Sequence, residues 1–218
     1  MTSFLTTGGI RGGSEKVGRF QPRSFNMGMS RQAFEHSHGF GDIHPGEDPD
    51  LAIRLWKMDY RSKLFPNAYV YHKRRIDWQK FSIQVNKFGK ARPILDLWHP
   101  QYKKWSFLFP TLFIAGLTCS LLLGIAGYYG PLACFGIYFA AIFAVSSLKN
   151  KSIAIGMLSI IAAWKQFYGY GTGYLESYFK VRILKKDPRA VFPELFFGGK
   201  KILRANLLSS ETDNLPKQ

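Results

Sequence analysis

"WSFLFPTLFIAGLTCSLLLGIAGYYGPLACFGIYFAAIFAVSSL" occupies residues 105–148, a run of 44 residues without one charged side chain. A helical membrane crossing takes about 20 apolar residues, so a run of this length fits two. Gly130-Pro131 divides it with a turn signal. The pattern predicts one span over 105–129 and a second over 131–148. The competing reading is a buried helical hairpin in a soluble protein. The next apolar stretch, 152–175, differs in kind, because it holds Lys165, Gln166 and four glycines. A lysine at the bilayer centre costs about 2.5–3.5 kcal/mol even on permissive scales. This stretch is expected to lie in the interface or re-enter, with a third crossing as the alternative.

Around the run the chain is basic: 30 Lys and Arg against 14 Asp and Glu, a formal charge of +16 over 218 residues. The approach to the first span carries Lys87, Lys90, Arg92, Lys103 and Lys104, and the link 149–151 carries two lysines. The turn Tyr128-Tyr129-Gly130-Pro131 carries no charge, whereas the tail is rich in lysine and arginine. The positive-inside rule then places residues 1–104, the 149–151 link and the tail on the cytoplasmic side of the membrane, in a multi-pass protein. Anionic headgroups account for the basic excess, including a tail that can grip anionic lipid. Nucleic acid is not an expected partner. Cys119 and Cys134 are too few for a disulfide framework or a zinc site and read as small core residues. The first residues lack the basic, apolar, small-residue order of a signal peptide.

Upstream of the spans, the order of elements reads as an α/β layer. Residues 1–23, rich in glycine and polar side chains, read as a flexible loop. Residues 24–29 read as a short strand, and Ser30 caps a short helix that stops at Gly39. A glycine-rich loop with Asp42 and His44 follows, then a helix over 49–59 with Leu51, Leu55 and Met58 on its apolar face. A strand over 68–72 delivers His72 at its end. Asp77 caps a further helix with Trp78, Phe81, Val85 and Phe88 along one side. The last ten residues, 209–218, are polar and read as disordered.

The chemistry concentrates in "HPGEDPDLAIRL", residues 44–55. Asp48 can serve as an N-cap with Pro49 at the first helical position and Asp50 near the positive end of the helix dipole. That reading leaves Glu47 unexplained. A carboxylate at a loop-to-helix junction can instead act as a general base if it faces a cleft. Both readings stand on spacing alone. His36 and His38 are alternate residues at a helix end, which do not share a face, so they do not form a metal pair.

The longer string from Phe25 to Arg75, "FNMGMSRQAFEHSHGFGDIHPGEDPDLAIRLWKMDYRSKLFPNAYVYHKRR", resembles the acceptor half of a family 2 glycosyltransferase. The likeness rests on Asn26, the Gly39-Phe40 pair, the Glu47-Asp48-x-Asp50-Leu51-x-x-Arg54-Leu55 helix start, Pro66 and the strand-end His72. It covers about residues 20–95, and the spans after it resemble the membrane-anchored bacterial members. The resemblance implies a partial GT-A-like α/β domain over 1–104, a transmembrane helical hairpin over 105–148, and an interfacial or third membrane segment with a basic cytoplasmic tail over 149–208.

It also implies roles. Asp48 matches the general base that deprotonates an acceptor hydroxyl, and Glu47 would position that acceptor. Asn26, His72 and Arg75 fall at positions of substrate contact. His72 could approach a metal or the diphosphate, or simply pack. Arg74 and Arg75 could face the leaving diphosphate, or form a solvated or lipid-facing pair. Asp50 and Arg54, four apart on one helix, would pair within the fold. The partners implied are a nucleotide-sugar donor and a glycan or lipid-linked acceptor, with Mg²⁺ or Mn²⁺ as the cofactor of the full-length enzyme.

Two departures qualify this. The Gln-x-x-Arg-Trp element of processive synthases has no counterpart of the right spacing in 84–92, so non-processive transfer is expected. No apolar strand followed by an Asp-x-Asp donor motif precedes the acceptor motif. The chain is therefore expected to be the C-terminal part of a larger transferase, inactive alone. The alternative is a membrane-anchored remnant that binds no donor.

Overall fold

The computed structural model describes Thr6 and residues 15–71 and 77–198. Its regular structure is helical. In chain order come α1 (Arg31–His36), α2 (Glu47–Lys57), α3 (Trp78–Trp98), α4 (Phe109–Ile125), α5 (Gly130–Asn150), α6 (Ile153–Ser177) and α7 (Pro188–Val191). A 3-10 turn, Trp105–Leu108, leads into α4, and a π-helical stretch, Tyr178–Ile183, continues α6.

The expected α/β, GT-A-like layer is not there. Among the described residues there is no strand, only two isolated bridges, Gly18 to Ser62 and Ile43 to Phe196. The predicted strand over 24–29 begins as a 3-10 turn, Ser24–Asn26. Residues 68–71 are irregular, and the expected strand end at His72 lies outside the described residues. Strands need a ladder of backbone partners. Here the two segments meet instead through one side chain, with Asn26 Nδ2 donating to Ala68 O at 3.2 Å. Arg74, Arg75 and residues 209–218 also fall outside the described residues.

The chain divides into two compact units, one formed by 77–89 and 104–175, the other by 15–71, 90–103 and 176–198. In the first, two helices are long and apolar enough to cross a membrane, Trp105–Ile125 and Gly130–Asn150. They pack as an antiparallel hairpin. A Cβ on Gly124 would meet Leu132 at 3.5 Å, and one on Gly116 would meet Phe135 at 3.4 Å. Phe113 lies among Phe135, Tyr138 and Phe139 at ring distances of 5.1, 5.3 and 6.1 Å. Most of the hairpin's surface remains uncovered, with 17% and 6% of the two apolar windows buried. That is why Cys119 and Cys134, expected in a core, are both exposed.

Helix α3 starts where expected. Asp77 Oδ1 accepts from Lys80 N at 2.7 Å, and the backbone and side-chain bonds from Lys80 hold the Asp77 carboxyl below its ordinary value. It runs on to Trp98, with Val85 buried and Trp78 exposed. Glycines on both α3 and α6 explain how the two helices meet. Added Cβ atoms on Gly89 and Gly173 would overlap Tyr170 O and Asn86 O, so α3 and α6 approach at backbone distance. Asn86 Nδ2 donates to Gly169 O at 3.1 Å, and Lys165 Nζ reaches Ser82 Oγ at 3.3 Å. Lys165 thus has a polar partner on α3.

The second unit is built around Ile43, Ala91, Ile94, Leu95, Val181, Phe192, Leu195 and Phe196. Lys90 ties its edges, 3.2 Å from Glu176 and 3.5 Å from Glu194. Burial pushes the Glu176 carboxyl up, but Lys180 and Lys90 outweigh it and hold the group below its ordinary value. Arg92 and Asp96 form a buried pair at 2.7 Å.

A candidate acceptor site at the first turn of α2

Helix α2 begins two residues earlier than the capping pattern predicts. Its N-cap is Gly46, at φ +130°, a backbone region that L side chains avoid. A Cβ there would lie in ordinary contact with Leu95 at 3.4 Å, Ile43 at 3.6 Å and Ala91 at 3.7 Å, so the demand for glycine comes from the backbone angle. Glu47, Asp48 and Pro49 are the first helical residues, so Asp48 is not the cap. Pro49 still costs nothing, since the first turn's amides have no intrahelical acceptor, and the ladder opens with Asp50 N on Gly46 O at 3.0 Å. The three acids lie at the positive end of the helix and Arg54 and Lys57 at its negative end. The buried face is Leu51, Ala52, Ile53 and Trp56, whereas Met58, expected on it, is exposed.

The three acids have three environments. Glu47 Oε2 accepts from Gly46 N at 2.9 Å and lies 3.1 Å from His44 Nδ1. Asp48 Oδ1 accepts from Ser24 N at 3.1 Å. Asp50 is buried. Its Oδ2 pairs with Arg54 Nη2 at 2.9 Å and its Oδ1 with His99 Nε2 at 2.8 Å. Arg54 also donates to Ser37 O and, at 2.7 Å, to Gly39 O. Burial pushes the Asp50 carboxyl up, but its bonds to His99 and Arg54 outweigh burial and hold it below its ordinary value. A Cβ on Gly41 would collide with Asp50 Oδ2 at 2.6 Å, so the glycine-rich loop closes directly over this pair.

Glu47 and Asp48 are therefore held half-exposed on a helix start that is braced from behind by Asp50. The 24–26 turn runs beside them, with Ser24 on Asp48 and Asn26 on Ala68. The expected Asp50–Arg54 pair is present. His72 and Arg75 lie outside the described residues. His99 and Lys57 were not legible as site supports. His99 follows α3 in a "WHP" triplet that carries no sign of a carboxylate 49 residues upstream.

Among the described residues, no group of three or more His, Cys, Asp or Glu could hold a metal ion. Glu47, Asp48 and Asp50 each face an amide or a cationic side chain instead. These three carboxylates do not fit a divalent ion, and His72, the residue expected to approach one, lies outside the described residues.

The family model for Glycosyl transferase family group 2 matches residues 25–147, more than half of the chain. The chain belongs to that family. The match takes in the 24–26 turn from Phe25, the whole of α2 and α3, and nearly all of the α4–α5 hairpin. It bears out the resemblance read from the acceptor motif. No curated protein and no solved structure matches the chain. In this member of the glycosyl transferase group, the described acidic motif is a helix start, without a strand beside it.

Proposed function

We propose that the protein takes part in an inverting sugar transfer from a nucleotide-sugar donor to a glycan or lipid-linked acceptor at the cytoplasmic face of the inner membrane. The observation that supports this reading best is the Glu47-Asp48 pair, fixed at the first turn of α2 inside the family match. Asp48 is the base. Its carboxylate takes the proton of an acceptor hydroxyl, and the oxygen forms a bond to the anomeric carbon from the face opposite the diphosphate. The bond from that carbon to the diphosphate breaks, and the nucleoside diphosphate leaves with the electron pair. The proton on Asp48 passes to solvent. Glu47, held by Gly46 N and His44, orients the acceptor. General-base assistance of this kind contributes roughly 10²–10⁴-fold. The hairpin of α4 and α5 spans the membrane in this reading, with the basic links on the cytoplasmic side.

A second reading, an inactive membrane-anchored remnant, draws on the same bonds. Asp48 and Asn26 both serve as staples for the 24–26 turn. The test is transfer of labelled sugar from a panel of nucleotide-sugars by membranes carrying the protein, wild type against Asp48→Asn. A loss of about 10²-fold or more supports the base. Full activity in the variant removes Asp48 from that role. No transfer and no nucleotide-sugar binding by the wild type selects the remnant.

A further inference from the structure

Helix α6 touches the hairpin at two points that together fix its direction. Near its start, a Cβ on Gly156 would overlap Ser147 Oγ and meet the Phe143 ring at 2.9 Å, close to the C-terminal end of α5. Near its other end, Gly171 O accepts from Thr111 Oγ1 at 3.2 Å, and a Cβ there would meet Pro110 O at 2.9 Å, at the very start of α4. Between them Phe167 stacks on Phe113 at 4.4 Å. In an antiparallel hairpin the start of α4 and the end of α5 are the same end. Gly156 and Gly171 are about 22 Å apart along a helix rising 1.5 Å per residue. A third crossing would carry Gly171 that far down the hairpin, to the level of Gly124 and Leu132. It does not leave the base. Helix α6 therefore runs across the open end of the hairpin.

The sides of α6 are differentiated accordingly. At ~100° per residue, Met157, Ile161, Trp164, Tyr168 and Leu175 fall within about 40° of one line. All five are exposed, Met157 by 56%, Tyr168 by 51% and Leu175 by 57%. The opposite side carries Gly169 and Gly173 against α3, a helix bearing Lys80, Gln84 and Lys87. An apolar stripe with a stacked Trp164–Tyr168 pair, backed by a helix that carries Lys80, Gln84 and Lys87 and flanked by Lys149, Lys151 and Lys165, has the composition of a helix lying in the headgroup boundary.

We infer that α6 is an interfacial helix whose Met157–Leu175 stripe is covered by lipid, at the level of headgroups and first acyl carbons. The inference rests on the reading that the hairpin spans the membrane. It keeps α3 on the aqueous side, returns the chain after α6 to the side from which it entered α4, and places Lys165 at headgroup depth.

The test is nitroxide labelling of single cysteines at 157, 164 and 175 in the full chain reconstituted in bilayers, on a background with Cys119 and Cys134 replaced by serine. Labels at 121 and 137 on the hairpin serve as depth references, and circular dichroism matching the wild type checks the fold. Depth is read from collision with oxygen against a water-soluble nickel chelate. The expected result is deep hairpin labels, with 157, 164 and 175 shallow and equal to within about 5 Å, one helical turn. Deep hairpin labels with 164 at the bilayer centre, and 157 and 175 at opposite surfaces, would establish a third crossing and overturn the inference. Low access to both quenchers with spin–spin broadening at 164 would put a second copy on the stripe and also overturn it. Chelate access at 121 and 137 would instead defeat the spanning reading itself.

Discussion

His99 Nε2 lies 2.8 Å from Asp50 Oδ1, and the other ring nitrogen lies 2.9 Å from Lys57 Nζ. An ammonium only donates, so Nδ1 accepts from Lys57 and Nε2–H donates to Asp50. His99 and Asp50 are both 5% exposed, and Arg54 completes a chain that ties α2 to the end of α3 and to the 37–39 turn. The start of α2, with Glu47 and Asp48, is held in place by this chain.

Removing its centre should unfold the brace. Asp50→Ala leaves His99 and Arg54 without their shared anion, and breaking a buried pair costs about 3–5 kcal/mol. His99→Phe keeps the ring volume but strips Asp50 of one partner, at about 1–3 kcal/mol. Thermal unfolding of the detergent-solubilised chain should show both losses. Their combination should cost less than the sum, because each variant already abolishes the same contact. Strict additivity would mean that the two residues do not act through each other.

The same pair sets a pH response. The folded Asp50 carboxyl is held below its ordinary 3.8 by His99 and Arg54, against the upward push of burial. Its contribution is fully present above 3.8, the unfolded value, and is lost as pH falls through the lower folded value. The wild-type melting temperature should therefore drop on acidification below pH 3.8, and the drop should be shallower in Asp50→Asn, which has no charge to lose. Parallel curves for the two proteins would remove Asp50 from the acid response.

What the sequence discloses follows the range of the interactions. The uncharged run gave the hairpin, because length and apolarity are summed along the chain, and Asp77 and Ser30 gave helix starts, because a cap bonds within three residues. The i, i+4 spacing gave Asp50–Arg54. The missed strands concern partners distant in sequence. Residues 24–29 and 68–71 have strand-like composition, yet strand formation depends on a ladder partner, and Ser24 and Asn26 bond Asp48 and Ala68 instead. Asp48 lost the cap position because Gly46, with its φ of +130°, lets the helix start two residues earlier than a cap at Asp48 would.

Helix α6 depends on glycine where it meets α3. A Cβ on Gly89 overlaps the Tyr170 carbonyl and sits 3.0 Å from Tyr174 N, and both are backbone atoms with no rotamer to yield. Gly89→Ala should therefore destabilise the protein by about 1–3 kcal/mol, the usual range for forced overpacking. Gly136→Ala, where nothing lies within 4 Å of the new methyl, should be neutral or slightly stabilising. Melting curves of the two variants side by side check the contrast. Equal behaviour would mean that the α3–α6 approach is looser than its backbone distances.

Asp48 can be tested as a staple separately from its role as a base. Its Oδ1 accepts from Ser24 N, a bond between groups far apart in sequence and only partly shielded from water. Asparagine keeps a carbonyl oxygen at the same reach, so Asp48→Asn should preserve the bond and leave the melting point nearly unchanged. Asp48→Ala removes the acceptor and should cost about 0.5–1.5 kcal/mol, the net worth of one such hydrogen bond. Backbone exchange should separate the two variants further, with the Ser24 amide losing protection in alanine and keeping it in asparagine. If asparagine retains the protection but transfer activity is gone, the carboxylate is needed for its proton affinity. If asparagine and alanine lose protection together, the bond depends on the negative charge, and activity losses in either variant must be corrected for the displaced 24–26 turn before any are assigned to the base.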